Sequence, residues 1–318
     1  MLRYLVWRLA SLVPVLIGIS LLAFILLNLT PGDPADTYLR RLSDTPPTPA
    51  QLVQTRRLLG LDYPAPVRYG RWLWGVAHGD LGRSYRTRGP ASTELVQHLP
   101  ATLELAVAAL LLALVIALPL GILTALRRGS ILDHGARVAA LLGASLPSFW
   151  LALLLITLFS VRLGWLPVAG QGGPEHLILP AVTLAAGTAA GLTRLTRAGL
   201  LEVLNEDYIR TARAKGLRGE TVVIRHALRN ALIGVVTVIG ISFGHLIGGA
   251  AIVETIFAWP GIGKLVVDAI GDRDYPLIQG FVLFSVVSFL FVNFLVDLSY
   301  LWLDPRVRLG GAGALDGR

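Results

Sequence analysis

The chain has 318 residues, 54% hydrophobic and only 15% charged, with a formal net charge of +8. Soluble domains carry about 25% charged residues, and the deficit here is confined to six windows without Asp, Glu, Lys or Arg: 9–32, 105–126, 138–161, 176–193, 230–253 and 275–296. Each approaches the roughly 20 apolar residues that a helix needs to cross a bilayer core, so a soluble globular fold is excluded and an all-α integral membrane protein with six transmembrane helices is expected.

Cysteine is absent and the single Met is the first residue. Disulfides, Cys-based zinc sites and thiol catalysis are thereby excluded. A basic chain of this kind points to membrane orientation before nucleic acid.

The N-terminus carries Arg3 and Arg8 ahead of about 21 apolar residues, with no small-residue cleavage pattern after Leu29. It reads as an uncleaved first span over 9–31, longer than a signal-peptide core. Residues 33–100 form a long polar loop holding Pro46-Pro47, Tyr69, Trp72 and Trp74, and Pro49–Leu61 fits a short helix. Two readings stand for this loop: a cap over the span ends, or a docking surface for an external partner. Span 2 is expected at 101–126 with a break at Pro119, and span 3 at 137–161 with a break at Pro147. Span 4 is expected at 176–198.

The segment 199–229 is the most informative. Asn205 or Asp207 fits a helix cap, basic residues gather toward Lys215, and Gly216 stands where a left-handed residue ends a helix. Gly219 makes a second break, and Glu220–Arg229 reads as a short helix leading into span 5. The result is a helix–turn–helix elbow with small Ala212 and Ala214 at its corner. A positive-inside anchor needs only charges; this geometry suits insertion into a groove on a partner.

Span 5, expected at 230–256, carries Gly240, Gly244 and Gly248 at every fourth position, a face for close helix packing or for a moving interface. His245 lies mid-span, and an ionisable group at that depth marks either a translocation path or a hydrogen bond to a neighbouring helix. Glu254 precedes Phe257-Ala-Trp259-Pro260-Gly261, which reads as an interfacial turn with Trp259 in the aromatic belt. Span 6, expected at 277–302, places Asn293 and Asp297 on one face as further path candidates, although Asp297 near the inner end also suits contact with water or a loop Arg. Residues 309–318 read as a flexible tail. The organisation expected is 1–32 for the first span, 33–100 for the extracytoplasmic loop, and 101–308 for a five-span core containing the elbow.

Short loops fix the orientation. Sixteen basic residues lie in the segments that include both termini and the elbow, against three (Arg162, Lys264 and Arg273) in the alternate short loops. Both termini are therefore expected in the cytoplasm, and the whole positive surplus falls on that side.

Asp207-Tyr-Ile-Arg-Thr-Ala-Arg-Ala-Lys-Gly216, followed by Arg225-His-Ala-Leu-Arg-Asn-Ala-Leu232, resembles the "EAA" coupling loop of ABC-importer permeases. Ala212 and Gly216 match that pattern's second Ala and its Gly. His226 and Leu228 fall at its Ile and Leu positions, Arg210-Thr211 replaces Glu-Ala, and Arg229 replaces Pro. These departures fit the dipeptide/oligopeptide/nickel branch, which Thr30-Pro-Gly-Asp-Pro34, Leu99-Pro-Ala-Thr-Leu-Glu-Leu105, Phe257-Ala-Trp-Pro-Gly-Ile-Gly263, Asp272-Arg-Asp-Tyr-Pro276 and Leu303-Asp-Pro-Arg306 also resemble. Pro46-Pro-Thr-Pro49, Leu58-Leu-Gly-Leu-Asp62, Tyr69-Gly-Arg-Trp-Leu-Trp74 and Trp165-Leu-Pro-Val-Ala-Gly170 look most like nickel-importer permeases.

The resemblance implies a type I ABC-importer permease in a prokaryotic cytoplasmic membrane. Its implied partners are a second homologous permease, two cytoplasmic ATPases, an extracytoplasmic substrate-binding protein and membrane lipid, with no nucleic acid. The cargo implied is nickel, carried as a chelate, with dipeptide or oligopeptide as the alternative. Asp207, Arg210, Ala212, Gly216, His226, Leu228 and Arg229 would couple to an ATPase, and Glu254, Phe257, Trp259, Pro260 and Gly261 would form an outer gate. ATP and Mg would sit on partner subunits: Ala258-Trp-Pro-Gly-Ile-Gly-Lys-Leu265 only approximates a P-loop. No cofactor, metal site or catalytic residue is expected on this chain. A secondary transporter or channel would show intramembrane charge relays, and an intramembrane enzyme would show paired carboxylates or an HExxH motif; the windows contain neither.

Overall fold

The computed structural model describes residues 2–43 and 45–303, and side-chain surroundings within 13–295 except at 44, 233, 245, 248 and 249. The expected tail at 309–318 lies outside the described residues. Those described are helical between turns, with one isolated bridge joining Arg83 and Pro90. In chain order the helices are α1 (Leu2–Leu29), α2 (Pro34–Leu42), α3 (Pro49–Leu58), α4 (Ala65–Ala77), α5 (Ala91–Leu126), α6 (Ile131–Ser145), α7 (Ser148–Leu155), α8 (Glu175–Val203), α9 (Asp207–Ala214), α10 (Gly219–Thr221), α11 (Leu228–Gly249), α12 (Ala251–Ile256), α13 (Ile262–Asp272) and α14 (Tyr275–Leu303). Wider π-helical turns continue α7 over Ile156–Arg162 and join α10 to α11 over Val222–Ala227.

Among the described residues, α5, α8 and α14 are each long and apolar enough to cross a membrane, and three further bent helix pairs pass the same test as units. One is α6 with α7, bent by 105°. Pro147 causes the break as expected: the preceding Leu146 is driven to extended backbone, φ −75° and ψ 124°. Pro119 behaves otherwise. No break occurs there, and α5 runs continuously through both Pro100 and Pro119. Proline removes one backbone bond, but Ala113 and Ala117 beside it are fully buried, and that packing holds the helix together.

The chain forms two compact units, Met1–Thr102 with Pro260–Ser288, and Leu103–Trp259 with Phe289–Arg318. In the first, Ala91, Leu95, Ile262, Leu265, Ala269, Leu277 and Ile278 form the apolar core. Polar caps and ion pairs fix the short helices around it. Asp33 caps α2 through the Ala35 amide at 3.0 Å and pairs with Arg56 at 2.7 Å. Thr48 and Gln51 form a reciprocal capping box on α3. The helix expected within Pro49–Leu61 is therefore present, whereas α2, α4 and α13 were not anticipated.

In the second unit α8 packs against α6, α7, α11 and α12. Its seam with α5 is built from small residues. Ala106, Ala109 and Ala113 are buried with Ala185 and Ala189, and Ala117 with Leu192 and Val235. Spacings of three and four place the α5 alanines on one face. Gly121 extends that stripe, and a Cβ there would stand 2.6 Å from Thr196 Cβ and 3.0 Å from the Thr193 carbonyl. At the polar end of α6, ahead of the charge-free stretch beginning at Val138, Asp133 is buried and accepts two bonds from Arg197, at 2.8 and 2.9 Å, and one from the Gly129 amide at 3.0 Å. The Arg197 guanidinium, then the Gly129 amide, hold its carboxyl well below the usual carboxylate range, at about 2.

Gly121→Ala should lower the melting temperature of the purified chain, at a cost of about 1–3 kcal/mol, because neither the Thr196 backbone-proximal atoms nor a carbonyl can swing aside. Gly135→Ala on α6, whose Cβ would meet nothing within 4 Å, should be neutral or gain up to about 1 kcal/mol. Equal melting temperatures for the two variants would refute the close seam. Arg197→Ala should also lower the melting temperature by stranding a buried carboxylate. The pair's contribution is complete above the ordinary carboxylate pKa of about 4 and is lost as pH falls through about 2. The gap between wild type and Arg197→Ala should therefore narrow only below about pH 4; a gap that closes already near neutrality would contradict the assignment.

Candidate functional site

The elbow is built on an apolar base. Leu200 from the end of α8, Ile209 and Ala212 from α9, Val222 from the π-helical turn, and Ala227 and Ala231 leading into α11 are all buried, together with Ala125. Ile209 and Ala212, three apart, face inward on a helix of only eight residues. The opposite face is polar and exposed: Asp207 and Arg210 pair across one turn at 3.2 Å with most of both side chains in the open. The Asn230 amide donates to the Tyr208 hydroxyl at 2.7 Å, tying α9 to the start of α11.

Gly216 closes the turn with φ +77°. Its Cβ position is open, so the left-handed backbone alone calls for glycine there. Capping differs from expectation. The residue before α9 is Glu206, not Asn205 or Asp207, and neither it nor Arg218, which precedes α10, makes a side-chain cap bond. Asp207 is the first helical residue and engages Arg210 instead, still supplying negative charge to the helix N-terminus. The expected helix at Glu220–Arg229 is a short α-turn followed by a π-helical stretch that flows into α11. His226 and Leu228 are half-buried along it, and Arg229 is exposed. Sequence reading missed Ile209, Val222 and Ala227, the residues on which the elbow rests; they are apolar positions scattered among charged ones and carry no local mark that sets them apart from exposed Leu217 and Ile224.

The Phe257–Gly261 motif is not a lipid-facing turn. Glu254, Phe257 and Trp259 are each 2% exposed or less, which corrects the placement of Trp259 in an interfacial belt. Phe257 packs with Ala152, Leu179 and Val253, and its carbonyl accepts from the Gly170 amide at 2.7 Å. The Trp259 amide closes back on the Glu254 carbonyl at 2.8 Å, and Ala258 between them takes a left-handed φ of 49°. Burial was illegible in sequence because it depends on distant α7 and α8. In the P-loop-like stretch, Lys264 pairs with Asp268 at 2.6 Å.

Of the path candidates, Asn293 donates to the Phe289 carbonyl of its own helix at 2.9 Å. The side chains of His245 and Asp297, and the surroundings of Gly248, lie outside the described residues. Gly240 is half-buried; Gly244 is buried, and a Cβ there would stand 3.1 Å from Phe289 Cδ2. Among the described residues no group of three or more His, Cys, Asp or Glu is placed to hold a metal ion.

In the first unit the Asp272-Arg-Asp-Tyr-Pro276 segment is a structural hub. Asp272 pairs with Arg41 and with Arg86. The buried Asp274 accepts from the Ser84 hydroxyl at 2.5 Å and from the Arg86 amide at 3.2 Å. Arg273 adopts φ +55°, and its guanidinium lies so close over Gly32 that any Cβ there would collide with it. The Thr30–Pro34 and Asp272–Pro276 segments, far apart in sequence, are thus two halves of one clasp.

Residues 117–309 match the family described as the binding-protein-dependent transport system inner membrane component, and residues 1–106 match its N-terminal membrane component. The dipeptide transport system permease protein DppB of Escherichia coli (strain K12) is 42% identical over 339 residues, covering 97% of this chain and 99% of that protein. The di/tripeptide transport system permease protein DppB of Pseudomonas aeruginosa (strain UCBPP-PA14) is 43% identical over 336 residues with the same coverage. The glutathione transport system permease protein GsiC of Pectobacterium atrosepticum is 42% identical over 308 residues, again covering 97% and 99%. Among solved structures, an inward-facing MetNI methionine ABC transporter shares the fold with a TM-score of 0.55 at 24% identity, covering 66% of this chain and 95% of that one. With both family regions matched along nearly its whole length, the chain belongs to the binding-protein-dependent transport system inner membrane components, and it is an ABC-importer permease subunit of type I architecture.

Proposed function

We propose that this subunit carries short peptides, dipeptides and tripeptides foremost, across the inner membrane by alternating access. The observation that carries the reading is identity of 42–43% over almost the full chain to permeases named for dipeptide and di/tripeptide transport. The glutathione permease, named for a peptide-like cargo, supports the same class. The nickel reading rested on short local motifs, and the full-length relatives favour its alternative.

In this proposal the elbow faces the cytoplasm and seats in a groove on an ATPase subunit. Asp207, Arg210 and Arg229 offer exposed charge to that groove, while Ala212, Gly216, His226 and Leu228 hold the elbow's shape. ATP and Mg bind to two partner ATPases, because this chain's P-loop-like stretch lacks the first Gly and the Ser/Thr and engages its Lys264 with Asp268. A second, homologous permease completes the path, and an extracytoplasmic binding protein delivers cargo. ATP shifts the spans between states only by favouring one of them. Glu254, Phe257, Trp259, Pro260 and Gly261 serve as the outer gate, and their buried, tightly bonded segment suits a part that must close. His245, Asn293 and Asp297 remain candidates for the path, and Gly240, Gly244 and Gly248 for the packing face beside it.

Uptake of a labelled dipeptide should disappear in a strain lacking this gene and return when the gene is restored on a plasmid. Nickel uptake should stay at the parental level in the same strain. Loss of nickel uptake with unchanged dipeptide uptake would overturn the proposed cargo.

A further inference from the structure

A cavity of about 490 Å³ opens in the first unit between the last turns of α1, the α3–α4 connection and the first turn of α14. Arg68, Arg71, Arg83 and Arg88 line it, and no Asp or Glu does. Five arginines of this unit have carboxylate partners: Arg40 with Asp36, Arg41 and Arg86 with Asp272, Arg56 with Asp33 and Arg57 with Asp62. Among the described residues none of the four cavity arginines makes an ion pair. Three instead lie against aromatic rings: Arg68 over Phe24 at 5.7 Å, Arg71 over Tyr63 at 3.9 Å and Arg88 over Tyr38 at 4.8 Å. Such contacts orient a guanidinium while leaving its N–H fork available.

Arg68 is the pivot. It is half-buried, and it also lines an adjoining cavity of about 440 Å³, as does Tyr275. Burial pushes the Tyr85 phenol up, and the Arg68 charge acts against that rise, so both belong to one wall. Tyr85 is therefore a neutral hydroxyl donor at any physiological pH.

The position of the cavity narrows the ligand. Phe24 lies in the last turns of a span-forming helix, and Tyr275, Pro276 and Gln279 open another. This is the level of the membrane–water interface, where aromatic side chains gather and basic pockets take lipid headgroups. We infer that the Arg68 cavity binds the phosphate of an anionic phospholipid, with the guanidinium forks of Arg68, Arg71, Arg83 and Arg88 and the Tyr85 and Tyr275 hydroxyls as donors. The lipid's acyl chains run along the apolar surface of α1, where Leu21, Leu22 and Ile25 are exposed. A soluble phosphate ester would satisfy the same donors but would gain nothing from that surface.

The test uses the full-length chain, purified and exchanged into a neutral detergent, with phosphatidylglycerol, phosphatidylcholine or sn-glycerol 3-phosphate added. Native mass spectrometry reads retained lipid and thermal unfolding reads stabilisation. Wild type should retain phosphatidylglycerol and melt higher with it than with phosphatidylcholine or glycerol phosphate. Arg83→Gln with Arg88→Gln, both at the exposed rim, should reduce retention roughly tenfold, the scale of losing charge-assisted hydrogen bonds. Arg68→Gln should do at least as much, with Arg68→Lys recovering part of the retention. Arg57→Gln, outside the cavity, should match wild type. If the two rim changes leave retention unaltered while the protein remains monodisperse, the site is overturned. Equal stabilisation by glycerol phosphate would overturn the lipid as its source.

Discussion

Close approach of α5 to α8 is the constraint on which the second unit depends. In an apolar solvent burial of large side chains gives helices little reason to associate, so contact area and backbone proximity must supply it. Four alanines and Gly121 along one face of α5 let the two helix backbones approach closely. That seam fixes α8 in place, and α8 in turn packs on α6, α7, α11 and α12. Its last turns deliver Leu200 to the base of the elbow, where Ala125 from the end of α5 joins it. The elbow is therefore an extension of a rigid helix pair rather than a loop hung between two spans. Ile209, Ala212 and Val222 join it to the ends of α5 and α8.

Charge is handled at the ends of the apolar segments. The Asp133–Arg197 pair is bidentate and receives a further backbone amide, the arrangement a buried ion pair needs to offset desolvation. At the other unit, Asp272 and Asp274 collect Arg41, Arg86 and Ser84, and Arg273 covers Gly32. The motif Thr30–Pro34 thus has a mechanical meaning: Gly32 leaves room for a guanidinium, and Asp33 starts α2 and holds Arg56. The four cavity arginines make no ion pair among the described residues, unlike Arg41, Arg56 and Arg86.

Spans and elbow were legible because their signals are local. A charge-free window of about 20 residues has few other readings, and Gly216 in an otherwise helical, basic segment marks a reversal. The break at Pro147 was legible for the same reason, but its 105° bend was not, since direction follows from packing. Pro119 looked identical in sequence and did nothing comparable: α5 runs on through it, with Ala113 and Ala117 buried in the preceding turns. The α5 stripe itself was invisible: in a helix that is apolar all round, alanine gives no contrast to read. The burial of Phe257 was hidden because it comes from Ala152 and Leu179, which are remote in sequence. The short helices α2, α4 and α13 lie outside the charge-free windows, where no long apolar run marks a helix.

The central claim is that the elbow contacts the ATPase through its exposed α9 face. A chain without cysteine allows a direct measurement: place one cysteine at Arg213 on that face, attach a short photo-cross-linker, and irradiate the assembled complex. The account predicts a covalent product with an ATPase subunit, reduced when nucleotide changes the ATPase conformation, and no such product from a cysteine at Arg71 in the other unit. An Arg213 probe that labels no ATPase in a complex that still hydrolyses ATP and takes up peptide would contradict it.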